Sequence, residues 1–437
     1  MNLARLVNVE PHEVRAVLWS FVYFFALLCS YYVLRPVRDE MGITAGVENL
    51  QWLFTGTFIA MLVAVPIYGY AVRRFARRRL VPVVYGFFVL NLLGFYALFQ
   101  SPVPPAYVAM AFFVWVSVFN LFVVSVFWSF MADLYSDAQA RRLFGFIAAG
   151  GSAGAILGPM ITTLLAVPLG PVNLLLISAA LLLVATFAVS RLGRGAPVRA
   201  LSAGERDAVE RPVGGGVFAG FRLFVRSPYL LGIGAYILLY TTLATFLYFQ
   251  QAHIVRDAFD DSATRTAVFA AVDLAVNTLT LLTQIFITSR LVKGLGLGRT
   301  LALVPAFLLF GFAALAAAPV LVTILAVQIL RRAGNFAIAR PAREMLFTVV
   351  SREEKYKAKS VIDTVVYRGG DAVSGWAFAG LMALGLGLGG IALVAVPLAA
   401  LWLGVGLWLG RRQEALGGAR RATAAPGPAV PVPAEER

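Results

Sequence analysis

Apolar runs long enough to cross a bilayer recur along almost the whole chain. A hydrocarbon core of about 30 Å needs about 20 consecutive, mostly apolar residues in an α-helix. Stretches of about that length lie near 14–34, 50–71, 80–99, 106–131, 143–166 and 171–189, and again near 229–249, 267–288, 301–318, 320–349, 361–384 and 391–409. The pattern predicts an all-α membrane protein with about twelve transmembrane helices.

A polar stretch divides these segments into two sets of six. Residues 191–226 contain seven arginines and a run of three glycines from Gly214, a composition that hydrocarbon excludes. The tail after Arg411 is rich in Ala, Pro and Gly, which is typical of disorder. We therefore predict an N-terminal six-helix half at 1–190, a cytoplasmic linker at 191–227, a C-terminal half at 228–410 and a disordered tail at 411–437.

The basic residues indicate how the chain is oriented. The formal charge is +15, but Lys and Arg alternate with apolar blocks, which argues against a nucleic-acid polymer as partner. Loops after the even-numbered segments hold 21 Lys and Arg, whereas loops after the odd-numbered segments hold four. Because positively charged loops stay on the cytoplasmic side, we expect both termini to be cytoplasmic and the protein to lie in the cell inner membrane.

The composition leaves few means for enzyme chemistry. Cys29 is the only cysteine, and the two histidines, His12 and His253, are far apart in the chain. We therefore expect neither a metal site nor a cofactor. An enzyme should show clustered His, Cys or paired carboxylates, and a sensor usually adds a soluble domain, so the pattern favours a transporter.

A glycine-rich run in the fifth segment superficially resembles a phosphate-binding loop. It contains Gly145, Gly150, Gly151, Gly154 and Gly158. No predicted strand precedes it and no Lys-Ser/Thr pair follows it, as a phosphate loop requires. Small residues spaced by three or four in an apolar helix instead predict close packing against a neighbouring helix.

Two six-helix halves joined by a long basic loop are the layout of the major facilitator fold. In such carriers the halves move about a site near the bilayer midplane. Gly69 and the basic cluster from Arg73 to Arg79 resemble the facilitator signature between the second and third helices, with Arg73 where an aspartate is usual. We expect a monomeric secondary transporter that moves a small molecule by alternating access.

Several segments carry a finer resemblance. The first helix ends in Tyr-Tyr-Val-Leu-Arg-Pro-Val-Arg-Asp at 31–39, and Phe-Trp-Ser-Phe-Met-Ala at 127–132 precedes Ala-Arg-Arg-Leu-Phe-Gly at 140–145. The stretch from Pro341 to Arg368 contains Arg343, Glu344, Met345, Lys355, Lys357, Lys359 and Asp363. These segments resemble the ATP/ADP translocases, the nucleotide exchange carriers of plastids and obligate intracellular bacteria.

The resemblance implies a nucleotide or another phosphorylated metabolite as substrate, moved by exchange. It implies Arg35, Arg38, Arg343 and Arg368 as substrate-binding residues, and Asp39, Glu344 and Asp363 as coupling or gating residues. The sequence also departs from the family, because residues 114–127 and 238–248 lack its acidic residues, and Asn335 and Asp371 replace lysines. The fold therefore carries over more directly than the substrate.

Arg331 and Arg332 follow only about a dozen apolar residues of the tenth segment. Near the bilayer centre each would cost about 2.5–3.5 kcal/mol, so we expect them to face a watery cavity and an anionic partner. That partner is either a substrate, since guanidinium binds phosphate or carboxylate bidentately, or Asp273 or Asp363 in an ion pair. A third possibility is that the helix starts later and leaves both arginines at the cytoplasmic rim.

Polar residues also form a stripe on the eighth segment. Asp273 and Asn277 are one turn apart, and Gln284 lies two turns further on the same face. We assign Asn277 to substrate binding and Asp273 to proton coupling, because a partly desolvated carboxylate there could titrate between the access states. The alternative to an anion exchanger is a proton-coupled carrier for a drug, peptide or amphipathic metabolite.

Overall fold

A computed structural model describes residues 9–74, 77–195, 217–351, 354, 358–359 and 361–424, and these residues form helices joined by short connections. The N-terminal half consists of α1 (Val14–Thr44), α2 (Leu50–Arg74), α3 (Arg77–Phe99), α4 (Pro105–Leu134), α5 (Asp137–Leu169) and α6 (Leu174–Gly195). The C-terminal half follows a short helix, α7 (Val217–Arg226). It consists of α8 (Pro228–Ala258), α9 (Ser262–Phe286), α10 (Thr288–Ala317), α11 (Leu321–Gly334), α12 (Arg340–Leu346), α13 (Tyr367–Ala383) and α14 (Leu388–Ala424).

Eleven described helices are long and apolar enough to cross a membrane. The predicted segment 361–384 is not among them, because a π-helical turn, Ile362–Val366, precedes α13, which has only 17 residues. A second π-helical turn, Asn335–Ala339, connects α11 to α12 within the span Leu321–Val349. The architecture confirms the predicted all-α membrane protein of about twelve helices.

Several boundaries differ from those expected from the pattern. Helix α6 continues to Gly195 and α7 forms inside the predicted linker. Helix α14 continues to Ala424, so residues 411–424 of the predicted disordered tail are helical. This extension contains Arg, Gln, Glu, Ala and Leu, which have high helix propensity, so no bilayer is needed to explain it. Residues 196–216 and 425–437 lie outside the described residues, as do Lys355, Lys357 and the side chains of Arg73, Arg77, Arg78 and Arg79.

The glycines of α5 allow it to pack closely on α1. A Cβ added to Gly150 would lie 2.6 Å from the carbonyl oxygen of Phe21, and one added to Gly158 would lie 2.8 Å from that of Cys29. A Cβ on Gly145, by contrast, would meet nothing within 4 Å. The prediction of helix packing rather than a phosphate loop is confirmed for the glycines from 150 to 158.

The halves contact each other where α1 ends. Arg265 of α9 donates two hydrogen bonds of 2.8 Å to the fully buried Glu40 of α1. The Tyr248 hydroxyl donates to Asp39 Oδ1 at 2.9 Å. On the neighbouring helices, Trp376 Nε1 donates to Thr55 Oγ1 at 3.1 Å. These contacts close one end of the interface and leave cavities further along it.

Candidate functional site: a cationic cavity between the halves

A cavity of about 210 Å³, the central cavity, lies between the two halves. Helices α1, α2, α8, α11 and α13 and the π turn Asn335–Ala339 contribute its wall. Its charged lining residues are five arginines and two aspartates: Arg35, Arg38, Arg331, Arg332, Arg368, Asp39 and Asp371. The structure therefore brings together five of the arginines that the sequence pointed to, from helices far apart in the chain.

Arg331 and Arg332 are buried in the wall of this cavity, with 6% and 8% of their surface exposed. Helix α11 begins at Leu321, so both residues fall well inside the span that runs to Val349. The helix therefore does not start later than the pattern predicts, and both arginines line the central cavity. The two remaining alternatives are an ion pair and a bound anion. Arg332 forms an ion pair, whereas Arg331 has neutral partners.

Arg332 is held in an ion pair. Its Nη2 lies 2.5 Å from Asp273 Oδ1, and Asp273 Oδ2 lies 3.6 Å from Arg35 Nε. Because Arg35 belongs to α1 whereas Asp273 and Arg332 belong to the C-terminal half, this carboxylate bridges the halves. Asp273 is almost fully buried, at 1% exposure, so its charge needs the two guanidinium groups.

Arg331 differs from its neighbour because its hydrogen-bond partners are neutral. Its Nε and Nη2 donate to Gln328 Oε1 at 3.1 and 2.8 Å, and its Nη1 lies 3.5 Å from the Tyr240 hydroxyl. Gln328 in turn donates to Gln251 Oε1 at 2.6 Å. No carboxylate in the described part of the chain forms an ion pair with Arg331. An arginine stays protonated in proteins, so a buried positive charge faces the cavity with no described carboxylate in direct ion-pair contact; Asp371 lines the same cavity.

Arg38 and Asp39 form the wall nearest the closed end. The Arg38 guanidinium lies over the Phe113 ring, 3.8 Å from its centroid, and donates to the Phe113 carbonyl at 3.2 Å. Its Nη1 also lies 3.2 Å from Asp39 Oδ1. This arginine is therefore oriented by three separate contacts and partly neutralised.

Asp371 is a site residue that the sequence did not point to. It lies 3.8 Å from Arg368, three residues earlier on α13, and accepts a hydrogen bond from Thr245 Oγ1 at 3.5 Å. The sequence indicated only that an aspartate stands there instead of a lysine. Helix α13 thus contributes a carboxylate to the cavity wall.

Neutral lining residues were missed as well. Tyr240, Thr245, Tyr248 and Gln251 all lie on α8 and line the central cavity, as do Gln328 and Tyr367. The α8 positions recur at intervals of three to five, so they mark one helical face. That polar and aromatic face was the signal that could have identified them.

Three predicted site residues lie elsewhere. Arg343 is 3.8 Å from Asp363, and Glu344 pairs with Lys359 at 2.5 Å, in a cluster around α12. None of these residues lines the central cavity. A π turn adds a residue to the helical repeat, so Asn335–Ala339 rotates Arg343 around the helix relative to Arg332.

Asn277 lines a second cavity of about 280 Å³, which we call the side cavity. Phe24, Leu28 and Tyr32 of α1 form one wall, and Asn277, Thr280 and Gln284 of α9 form another. Phe336 lines both cavities. Asn277 Nδ2 donates to the carbonyl of Ala155 at 2.7 Å, so this residue also connects the halves.

A cluster outside the membrane-spanning helices contains Glu10, His12 and Glu13, whose ligand-type atoms lie within 4.8 Å of one another. Burial opposes ionisation of Glu13, but its pKa is lowered by hydrogen bonds from the Glu10 backbone, Gln139 and Arg142. Because Glu13 is engaged by these donors, we assign no metal ion to the cluster.

Comparison with a protein-family model identifies the superfamily. The model of the Major Facilitator Superfamily matches residues 16–370, and the chain belongs to this superfamily. It is therefore a membrane transporter. No curated protein matches the sequence.

Solved structures share the fold at low identity. A bacterial homologue of the human lysosomal transporter Spinster, inward-facing and unoccupied, is 14% identical, with 93% of this chain and 99% of that chain covered and a TM-score of 0.61. For the nucleoside transporter NupG the values are 14%, 96%, 100% and 0.61, and for a D-xylose–proton symporter 13%, 92%, 97% and 0.60. Similarity at this level establishes the fold alone.

Proposed function

We propose that this carrier transports an organic anion, such as a nucleotide or another phosphorylated metabolite, by alternating access. The observation that carries the proposal is Arg331, a buried cation that faces the central cavity with neutral partners only. Guanidinium groups bind phosphate and carboxylate with paired, charge-assisted hydrogen bonds. A substrate anion would supply the counter-ion that the described residues do not provide.

The charge balance of the site supports the same conclusion. Five arginines and two aspartates line the cavity, and Asp273 adds a third carboxylate from behind the wall. Five positive and three negative charges leave a net charge of +2 at this site. A dianion such as a phosphate monoester would neutralise it, whereas a neutral solute would leave the excess charge desolvated.

The finer assignment rests on the resemblance to the ATP/ADP translocases, which favours exchange over net transport. Asp273 offers a physical reason for exchange, because it bridges the halves through Arg35 and Arg332 when no substrate is bound. A substrate anion would compete with Asp273 for these two arginines and so release the bridge. Counterflow should therefore be faster than net uptake. The same proposal includes an inner-membrane location, cytoplasmic termini, a monomeric state and two six-helix halves at 1–190 and 228–410.

A thermal-shift screen of the purified carrier tests the substrate class. Inorganic phosphate, nucleotides, sugar phosphates and neutral nucleosides and sugars should be compared in wild type, Arg331→Ala and Arg331→Lys. Arg256→Ala is the matched control, because Arg256 lies at the end of α8 and pairs with the exposed Asp257 outside both cavities.

We expect phosphorylated anions to stabilise the wild type and the control by about 2.7 kcal/mol at a hundred times Kd. Arg331→Ala should lose most of this stabilisation, and Arg331→Lys should retain part of it. Stabilisation by a neutral solute alone, with equal size in Arg331→Ala, would contradict the proposal.

A proton-coupled carrier for another solute is the second candidate. It is favoured by Asp39 and Asp371, two carboxylates that face the cavity. Proteoliposomes with an imposed pH gradient distinguish the candidates. Uptake that follows the gradient and is lost in Asp371→Asn would support proton coupling, and exchange that ignores the gradient would exclude it.

A further inference from the structure

We propose that the side cavity is a second subsite, which binds an uncharged, planar, hydrogen-bonding ring of the same substrate. This inference rests on the proposed function, because it takes the anionic group of the substrate to lie at Arg331 in the central cavity. It goes further because it assigns a ligand group to the side cavity, which the arginines of the central cavity do not account for.

The side cavity and the central cavity are lined by neighbouring residues of the same helices. Helix α1 contributes Tyr32 to the side cavity and Arg35 to the central cavity, and α11 contributes Arg332 just ahead of the shared Phe336. At about 1.5 Å per residue, the three- and four-residue separations correspond to about 5–6 Å along each helix. Because Phe336 lines both cavities, a substrate that extends past this ring would contact both.

Aromatic and aliphatic side chains form one wall of the side cavity. The α1 wall presents the rings of Phe24 and Tyr32 with Leu28 between them, one helical turn apart. Phe336 contributes a third ring. Aromatic walls favour a flat ring, because stacking adds about 0.5–1.5 kcal/mol to burial.

The opposite wall, on α9, contains hydrogen-bonding side chains. The Thr280 hydroxyl is buried and has no hydrogen-bond partner among the described residues. Buried polar atoms are nearly always paired, so this hydroxyl points to a ligand group or a water there. The amides of Asn277 and Gln284 are fixed by donation to the carbonyls of Ala155 and Phe336, at 2.7 and 3.3 Å, and these bonds do not use their oxygens.

The walls of the side cavity carry little charge. Arg340 is the only charged residue that lines the side cavity in the described part of the chain, and it is exposed. The nearest buried charge, Asp273, is already paired with Arg35 and Arg332. A neutral ring with donors and acceptors fits these walls better than a second anionic group.

The test uses three probes in equilibrium binding assays: inorganic phosphate, benzyl phosphate and uridine 5′-phosphate. They share an anionic group and add first a ring and then ring hydrogen bonds. We expect affinity to rise in that order. Thr280→Val keeps the side-chain shape and removes the hydroxyl, and Ala148→Leu adds volume to the cavity wall.

Thr280→Val should weaken uridine 5′-phosphate about fivefold, the typical effect of one hydrogen bond, and leave inorganic phosphate unchanged. Ala148→Leu should reduce uridine 5′-phosphate to the affinity of inorganic phosphate. Arg331→Ala should weaken all three probes.

Equal affinities of the three probes, with no effect of Thr280→Val, would overturn the subsite while leaving the anion site in place. Failure of every probe to bind wild type would overturn the proposed anion function instead. Because Thr280→Val changes no volume, the subsite remains testable if Ala148→Leu does not fold.

Discussion

The interiors of the two halves of the bundle differ in how their helices are packed. In the N-terminal half, rings pack on one another: Phe24 stacks on Phe127 with centroids 4.0 Å apart, and the hydroxyls of the buried Tyr23 and Tyr85 are hydrogen-bonded. In the C-terminal half, α11 and α13 each adjoin a π turn next to cavity arginines. The stacked rings of α1 and α4 thus lie in the N-terminal half, and the two described π turns lie in the C-terminal half.

The same contrast applies to the cavity arginines. Arg38 of the N-terminal half is oriented by the Phe113 ring and carbonyl and partly neutralised by Asp39. Arg331 of the C-terminal half has only neutral partners. Since π turns are often found at functional sites, the proposed anion contacts should come mainly from the C-terminal half.

The largest expected effect comes from disrupting the contact between α1 and α5 in the N-terminal half. A Cβ on Gly154 would overlap the backbone of α1 at Phe25 and Cys29, and neither backbone can move without displacing its helix. We expect Gly154→Leu to abolish the yield of monodisperse protein in size-exclusion chromatography. Gly94→Leu is the control, because a Cβ there meets nothing within 4 Å. Equal yields would show that the α1–α5 contact is not essential.

The next effect comes from the carboxylate that connects the halves. Asp273→Asn would leave Arg35 and Arg332 without their shared counter-ion, which should lower stability by about 3 kcal/mol. Because the internal competitor is removed, phosphorylated anions should stabilise this variant more than wild type. Thermal unfolding with and without ligand measures both effects, with Asp257→Asn as the exposed control. A smaller ligand shift than in wild type would contradict the competition.

The smallest effect separates the two kinds of arginine. We expect Arg331→Ala to weaken anion binding more than tenfold and Arg38→Ala about threefold, because Asp39 already offsets the Arg38 charge. Titration of inorganic phosphate into each purified variant checks the ratio. A larger loss in Arg38→Ala would reverse the roles assigned to the halves.

The apolar runs predicted the fold to within a few residues at most helix ends, since a bilayer-spanning helix depends on local composition. The site was predicted in part. Arg35, Arg38, Arg331, Arg332 and Arg368 were all identified and all line the central cavity. Arg343, Glu344 and Asp363, which the resemblance implied, lie in a separate cluster, and the π turn Asn335–Ala339 stands between Arg343 and the arginines of α11.

The sequence by itself determined the membrane class, the helix count and the presence of costly intramembrane arginines, because these follow from how each segment is solvated. Only the tertiary structure decided which arginine is neutralised. Asp273 and Asp363 were equivalent candidates along the chain, and the packing of α9 against α1 and α11 selected Asp273 for Arg332. Arg331, its direct neighbour, points to different side chains because successive residues on a helix lie about 100° apart.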